Sequence, residues 1–400
     1  MHRPRDLTSI TIVFVLHNLQ THMMRPYVPL FAASLDVGYL GVGIVAAALG
    51  FLPIFFALPV GNFADRWGAR PMIVVGAILN ASAFMLLWAF PNIAVIIVSQ
   101  MIAGMSNLLL TLSTQTFIGG LGRGRAAERN FGTFTMFASI GQIGGPLLGG
   151  VIISLFGFGA AFLTASSLSV LCVTAALLLL PKFERPTLPV PRALAVSRKA
   201  WEYLKSRETQ LVILASCLMS IPEILRTSFL PLYLGESVRL DPALVGYVLA
   251  IFAVAGLVAK SVLPRVVAKF GRQVMLFAFT VGCALAILAM PLTVSIWVVC
   301  VITACMGLTF GLGRPLSMAM AANASRPGEM GFIVALRLSG NRVADFVLPV
   351  AFGTAASVAG IGAVFVTGGL IMMVGAAALF RPMLDERRGR GIGEPIDEPS

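Results

Sequence analysis

The chain has 400 residues, of which 58% are hydrophobic and only 12% are charged, and its mean hydropathy is +0.92. A soluble protein of this length would carry about a quarter charged residues, so the composition excludes an ordinary soluble enzyme. The net charge of +12 does not indicate a nucleic-acid partner, because basic loops on one side of a membrane explain the same excess.

Apolar segments long enough to cross a bilayer follow one another along the whole chain. About 20 apolar residues span a membrane, and in hydrocarbon only helices satisfy the backbone of such segments. The sequence therefore predicts an all-α membrane protein with twelve transmembrane helices in two six-helix halves. The predicted spans are about 8–33, 39–60, 71–90, 93–118, 131–155 and 159–181 in the first half, and about 209–234, 243–263, 273–291, 294–320, 331–358 and 361–381 in the second.

A polar insertion separates these halves. Its prolines interrupt helix at first, and its later part, 191–207, predicts a basic amphipathic helix on the inner leaflet. The predicted organisation is an N-terminal half at 1–182, a linker at 183–208, a C-terminal half at 209–382 and a cytoplasmic tail at 383–400, of which 387–400 are predicted to be disordered.

The basic residues predict the orientation. Arginine and lysine are concentrated at both termini, in the linker and in the loops after even-numbered spans, whereas the opposite loops hold only Arg239. Cytoplasmic loops carry the excess of basic residues, so both termini are predicted to be cytoplasmic. We expect a multi-pass protein of the cell membrane that is a monomer in the lipid bilayer.

A charged stretch, residues 61–70 (GNFADRWGAR), connects the second and third spans. A weaker copy occurs about 203 residues downstream at 264–273 (PRVVAKFGRQ), and residues 27–31 (YVPLF) likewise match 229–233 (FLPLY). Such repeats indicate two fused half-proteins.

With two six-helix halves and a Gly-x-x-x-Asp-Arg-x-Gly-x-Arg stretch, the chain resembles the major facilitator superfamily, although Ala69 stands where that family usually has a further basic residue. The resemblance implies a transporter with a cytoplasmic latch, in which Asp65 faces the positive N-terminal end of the eleventh span near Gly331. The latch residues are Gly61, Asp65, Arg66, Gly68 and Arg70.

The fifth span carries a second signature, which resembles the motif of drug and metabolite antiporters in that superfamily. Its glycines, which recur along the span from Gly132 to Gly150, let another helix approach closely, and Pro146 permits a bend. The resemblance implies packing against the eighth span at Ala253, Gly256 and Ala259; small-residue packing without any bias to export is the alternative. Gln100 stands where related antiporters often have an arginine. The motif residues are Gly132, Gly141, Gly145, Pro146, Gly149 and Gly150.

Ionisable residues inside spans are costly and indicate function. Glu223 precedes Arg226 by three positions, and Arg342 precedes Asp345 by three. Each pair is either a self-neutralised ion pair or a place where the acid takes a proton and releases its arginine. The proton-coupling candidates are Glu223, Asp345 and His22, and His22 is also interpreted as a hydrogen-bonding residue of the cavity.

One face of the first span is polar and is predicted to line a central cavity. The predicted cavity holds three arginines, at positions 25, 226 and 342, but only two acids, at positions 223 and 345. This balance of charge favours a neutral, zwitterionic or anionic substrate. The cavity candidates are His17, Asn18, His22, Arg25, Asn107, Gln115, Gln142, Arg226, Asn341 and Arg342.

These features predict a proton-coupled efflux antiporter for small organic compounds or drugs that works by alternating access. The alternative within transport is an importer or facilitator of an organic anion or metabolite. The chain lacks the sequence motifs of hydrolases, zinc enzymes and ATP-driven pumps. We therefore predict no enzymatic activity, metal or cofactor, with the proton gradient as energy source. A third possible class of function is a receptor or sensor that has kept the transporter fold without transport.

Overall fold

The computed structural model describes residues 4–120, 125–181, 205–270, 272–323 and 330–390. Its helices form two sets of six spans. In the N-terminal half they are Pro4–Met24 with Tyr27–Ala33 (first span), Gly38–Trp67, Ala69–Ala89, Ile93–Gly120 and Arg125–Leu179, the last containing the fifth and sixth spans. In the C-terminal half they are Arg207–Ile224 with Leu225–Phe229 and Leu230–Glu236 (seventh span), Pro242–Phe270, Arg272–Ala289 with Met290–Leu292, Ile296–Asn323, Met330–Ala359 and Gly362–Arg390.

The helices agree with the predicted membrane fold. In the described part of the chain, nine helical stretches are long and apolar enough to cross a bilayer. One of them, Met136–Leu179, holds two spans, because Gly157 at φ 79° interrupts the helix between them. Ile296–Leu312 is a shorter apolar helix, and the first span is divided between the helices Pro4–Met24 and Tyr27–Ala33. The prediction of an all-α membrane protein in two halves is confirmed.

Several predicted boundaries were wrong. The second span continues to Trp67, so residues 61–67 belong to the helix and the turn lies at Gly68, at φ 81°. Hydropathy falls at residue 61 because polar side chains begin there, but helix geometry does not require apolar residues. Helix also continues to Arg390, into the tail that was predicted to be disordered. Most of the predicted linker helix lies outside the described residues.

The backbone repeats itself between the halves with an offset of 203 positions. Asp36 and Arg239 are the described non-glycine residues with positive φ, at 55° and 61°. Gly157 and Gly360, at 79° and 80°, terminate the fifth and eleventh spans. Left-handed backbone is rare outside glycine, so its recurrence at matching loop positions confirms the predicted internal repeat.

Close helix contacts recur with the same offset. A Cβ at Gly104 would overlap the carbonyl oxygen of Leu49, and a Cβ at Gly307 would overlap that of Phe252. Each glycine thus lets the fourth span of its half touch the backbone of the second. The two six-helix halves are built on one plan.

Spans two and eleven form the first seam between the halves. A Cβ at Gly43 would lie 2.5 Å from the carbonyl oxygen of Pro349, and a Cβ at Gly353 would lie 2.7 Å from that of Tyr39. The Tyr39 hydroxyl also donates to Glu236 of the seventh span at 2.8 Å. These contacts lie at the end of the bundle where odd-numbered spans lead into even-numbered ones, which we call the joined end.

Spans five and eight form the second seam at the same end. A Cβ at Gly246 would overlap the carbonyl oxygen of Pro146, and a Cβ at Gly150 would overlap that of Pro242. The buried Tyr27 hydroxyl lies 2.8 Å from the Pro146 oxygen and 3.2 Å from the Pro242 oxygen. It therefore connects the first span to both helices of this seam. At both seams, a backbone carbonyl oxygen of one helix packs against a glycine of the other, where a side chain would leave no room.

Candidate substrate cavity

A polar cavity of about 250 Å³ lies between the two halves. Helices from both halves contribute to its wall, and its volume is close to the lower limit for small-molecule sites. Its described ionisable lining residues are His22, Arg25, Glu223, Arg226, Lys260, Arg342 and Asp345.

Glu223 is at the centre of this charge cluster. Its Oε1 accepts a hydrogen bond from Arg226 at 2.8 Å, so the pair expected from the sequence forms within the seventh span. The same oxygen lies 3.7 Å from Arg25 of the first span. Glu223 therefore makes an ion pair across the two halves, which the sequence could not reveal because it joins residues almost two hundred positions apart.

The backbone of the seventh span widens where Arg226 lies. Residues Leu225–Phe229 form a π-helical turn between Arg207–Ile224 and Leu230–Glu236. Pro222 and Pro231 flank this turn and cannot donate backbone hydrogen bonds, which favours a local departure from α-helix. Arg226 is 4% exposed and lies over the ring of Phe252 at 5.1 Å, so its position is fixed.

The second charged pair is looser than the first. Arg342 and Asp345 approach to 3.7 Å on the eleventh span, with side chains 28% and 26% exposed. Both line the cavity. A half-exposed pair at this distance is held more weakly than the buried hydrogen-bonded pair of Glu223 and Arg226, so its two groups are better able to exchange partners.

Lys260 is a cavity residue that the sequence analysis missed. It is a half-buried residue of the eighth span and lines the cavity with Gly256, one helical turn earlier. Its position near the predicted end of that span is typical of lysines that extend to the membrane surface. The sequence feature that could have indicated a cavity position is a lysine one helical turn after Gly256 in an otherwise apolar span.

The predicted cavity residues separate into two groups. His22, Arg25, Asn107, Gln142, Arg226 and Arg342 line the cavity together with the coupling candidates Glu223 and Asp345, and so does Gln100. The remaining four are not among its described lining residues. These are His17, Asn18, Gln115 and Asn341.

His17 belongs to a buried network behind the cavity wall. The Ser169 hydroxyl donates to Gln20 Oε1 at 2.6 Å, which turns the Gln20 amide nitrogen toward His17 Nδ1 at 3.4 Å. His17 Nε2 lies 3.3 Å from Asn107 Oδ1 and is left as the donor to it. The network thus fixes the His17 ring and orients Asn107; Gln20 and Ser169 were missed because amide and hydroxyl side chains are common in spans.

The glycine motif packs differently from the expectation. Gly141 faces the backbone of Asn18 and Leu19, and Gly145 faces that of His22 and Met23, so most of the motif contacts the first span. Among the described motif residues, Pro146 and Gly150 contact the eighth span, at Gly246 and Pro242. The expected contact at Gly256 is wrong, since that glycine packs on Gly307 and Gly311 of the tenth span. Gly132 lies outside the described side chains.

Gly145→Ala is expected to lower the free energy of unfolding by about 1–3 kcal/mol, because the new Cβ would lie 2.7 Å from the Met23 backbone nitrogen. The matched control is Gly144→Ala, where the new Cβ would meet only the Leu19 side chain at 3.5 Å. The control should be neutral or stabilising by up to about 1 kcal/mol. Thermal unfolding of the purified variants measures both; equal unfolding temperatures would contradict the assigned packing.

The latch is only partly described. Arg70 donates a hydrogen bond to the Leu177 carbonyl oxygen at 2.6 Å, which fastens the start of the third span to the end of the sixth. Gly68 has the positive φ that the turn requires. Gly61, Asp65 and Arg66 lie in the described helix, but their side-chain positions are outside the described part, so the contact of Asp65 with the eleventh span stays a prediction.

Two six-helix halves around a charged cavity are the arrangement that many secondary membrane transporters have. A family model described as Major Facilitator Superfamily matches residues 10–225 and 212–395, and the chain therefore belongs to this superfamily of transporters. It is a multi-pass membrane protein.

Curated relatives are similar over part of their length. An uncharacterised MFS-type transporter of Mycobacterium tuberculosis is 25% identical over 246 residues, 60% of this chain and 57% of the relative. Multidrug resistance protein MdtH of Aeromonas hydrophila is 30% identical over 152 residues, 37% of this chain and 38% of the relative. Multidrug resistance protein 1 of Bacillus subtilis is 25% identical over 174 residues, 41% and 45%. The chain spans about half the length of the curated relatives it matches.

Solved structures share the fold. The nucleoside transporter NupG superimposes with a TM-score of 0.76 at 14% identity, covering 93% of this chain and 99% of that one. A bacterial homologue of the human lysosomal transporter Spinster, inward-facing and unoccupied, gives 0.78 at 11% identity, covering 95% and 97%. At these identities the likeness concerns the fold alone.

Proposed function

We propose that this chain exports small organic compounds in exchange for protons by alternating access. The observation that carries the proposal is the contact of Glu223 with arginines from both halves, 2.8 Å from Arg226 and 3.7 Å from Arg25. Protonation removes the charge of Glu223 and with it an attraction between the halves. An acid at this place therefore links its own protonation to the movement of one half against the other.

The joined end faces the outside in this proposal, with both termini in the cytoplasm. The support is the distribution of basic residues, since Arg239 is the one arginine or lysine in the loops at the joined end. The cavity is then closed toward the outside by the two seams. Opening of these seams and closing of the opposite end would carry the substrate outward.

Export is supported by two further observations. The fifth span carries the complete glycine and proline motif that resembles that of drug and metabolite antiporters. Two of the relatives reported above are named multidrug resistance proteins. Protons entering from outside would provide the driving force for outward movement of the compound.

Glu223→Gln is expected to abolish proton-driven accumulation in proteoliposomes while exchange of substrate across the membrane persists, because glutamine keeps the shape but cannot release a proton. Asp345→Asn is the matched comparison at the looser pair. It should retain most accumulation if Glu223 alone couples. Folding is checked by size-exclusion chromatography. Full proton-driven accumulation in folded Glu223→Gln protein would remove Glu223 from the coupling mechanism.

Import of an organic anion is the second candidate function. It is favoured by the four cations, Arg25, Arg226, Lys260 and Arg342, among the described lining residues. Direction separates the two candidates: deletion of an exporter raises the intracellular level of its compound, whereas deletion of an importer lowers it.

A further inference from the structure

We infer that a small chamber beside the central cavity binds an uncharged oxygen atom as a hydrogen-bond acceptor, held by the side-chain amides of Asn80 and Asn107. The oxygen belongs to a carbonyl or hydroxyl group of the transported compound or to a water molecule. The inference rests on the proposed function only in that the central cavity is a transport site.

The chamber lies within the N-terminal half and has a volume of about 30 Å³. It shares Arg25, Leu49, Gln100 and Asn107 with the central cavity, so the two spaces are adjacent. Roughly 10–15 Å³ is enough for one water molecule. The chamber therefore has room for a water, or for one polar group of a compound whose remaining part lies in the cavity.

The Asn80 side chain is the first argument. Asn80 lies on the third span, lines the chamber and is 3% exposed. Within the described part of the chain, its amide nitrogen Nδ2 has no hydrogen-bond acceptor. A buried amide without a partner destabilises a protein, so polar groups at such positions are normally hydrogen-bonded. An oxygen in the chamber would supply the acceptor.

The orientation of Asn107 is the second argument. Its Oδ1 accepts a hydrogen bond from Thr111 at 3.2 Å and lies 3.3 Å from His17 Nε2. The acceptor end of this amide is therefore engaged on the side of the buried network. The end that is left for a ligand is the amide nitrogen, which is a donor. Two helices, the third and the fourth spans, thus each bring a donor to the same chamber.

The rest of the chamber wall favours an uncharged ligand. Thr21 and Gln100 are neutral. Arg25 is the ionisable residue among the described lining residues of the chamber, and it already lies 3.7 Å from Glu223. The other described lining residues are apolar: Met24, Val28, Leu49, Phe84 and Ala103. Apolar side chains do not solvate a charge, whereas two amide donors satisfy the lone pairs of a neutral oxygen.

Asn80→Leu in purified protein without added compound tests for water. Leucine branches as asparagine does but cannot donate, so a bound water would lose a partner. The unfolding temperature should then fall by about 2–4 °C. Thr114→Val is the control, because Thr114 Oγ1 is also buried without a partner among the described residues but Thr114 does not line the chamber. Removing this unpaired hydroxyl should leave the unfolding temperature unchanged or raise it.

A matched pair of probes tests for an oxygen supplied by a compound. 2-Acetylnaphthalene and 2-isopropylnaphthalene have the same shape, but only the ketone carries an acceptor oxygen. The ketone should produce equal thermal stabilisation of the wild-type protein at about tenfold lower concentration. Asn80→Leu should abolish this preference, whereas Thr114→Val should keep it.

The two measurements together decide the inference. A fall in the unfolding temperature of Asn80→Leu assigns the oxygen to water, and a ketone preference that depends on Asn80 assigns it to the compound. The inference is overturned when Asn80→Leu behaves like Thr114→Val in both measurements. If Asn80→Leu does not fold, a density map of the wild-type protein with 2-acetylnaphthalene replaces it, and a map without an oxygen within about 3.2 Å of the Asn80 amide overturns the inference.

These outcomes are separate from the outcome for transport. A protein that binds the oxygen but shows no proton-driven export would contradict the proposed function alone. A working exporter that fails both measurements at Asn80 would contradict the inference alone.

Discussion

Gly246→Ala is expected to reduce transport at least tenfold by preventing the halves from meeting at the joined end. The added Cβ would overlap the Pro146 carbonyl oxygen and lie 2.8 Å from the Tyr27 hydroxyl. A backbone oxygen cannot turn aside as a side chain does, so relief requires the eighth span to move away from the fifth. Spin labels at Leu35 and Val238, which follow the first and seventh spans at the joined end, should move apart in double electron–electron resonance.

The repeat predicts the same effect at the other seam. Gly43 lies 203 positions before Gly246, and a Cβ there would be 2.5 Å from the Pro349 carbonyl oxygen, the counterpart of Pro146. Gly43→Ala should therefore also separate the labels. Gly235→Ala is the control at the joined end, since its Cβ would meet only the Leu30 side chain at 3.6 Å. Unchanged label distances in Gly246→Ala would contradict the seam.

Glu223→Ala is expected to lower the free energy of unfolding by about 3–5 kcal/mol, because it leaves Arg226 buried without its carboxylate partner. Arg226 is 4% exposed, so water cannot replace the lost hydrogen bond. Asp345→Ala removes an acid at the same i,i+3 spacing but from a half-exposed pair at 3.7 Å. Its expected cost is about 0–1 kcal/mol.

The double variant Glu223→Ala with Arg226→Leu should recover most of the stability lost in Glu223→Ala, because neither charge then remains buried alone. Chemical or thermal unfolding of the purified proteins measures all three variants. Equal losses from Glu223→Ala and Asp345→Ala would show that the two pairs are equivalent, contrary to the structure.

The polar lining of the cavity was predicted better than the contacts that surround it. Arg25, Glu223, Arg226 and Arg342 were recognisable because charge inside an apolar span is costly and must face a protein interior. Lys260 was not, since a lysine near the end of a span also fits a position at the membrane surface. His17 was assigned to the cavity because it shares a helix with His22, although its ring points into the network with Gln20.

The glycine motif illustrates a different limit of sequence reasoning. Its spacing predicted a helix that admits close neighbours, and the structure has such contacts at Gly141 and Gly145. It could not tell which neighbour, because glycine carries no side chain to match a partner. The counterpart of the motif in the eleventh span retains Pro349 and Gly353 but few other motif residues. The sequence alone therefore did not identify it, and the contacts at the first seam did.

The sequence by itself determined the membrane fold, the two repeated halves and the buried charges, because hydrophobic length and the cost of charge in hydrocarbon act on each segment separately. Only the tertiary structure decided that Glu223 contacts both halves, that Lys260 joins the cavity, and that glycine–carbonyl contacts close both seams at one end. These features depend on distances between helices far apart in the chain, and helix packing fixes such distances only after all twelve spans have assembled.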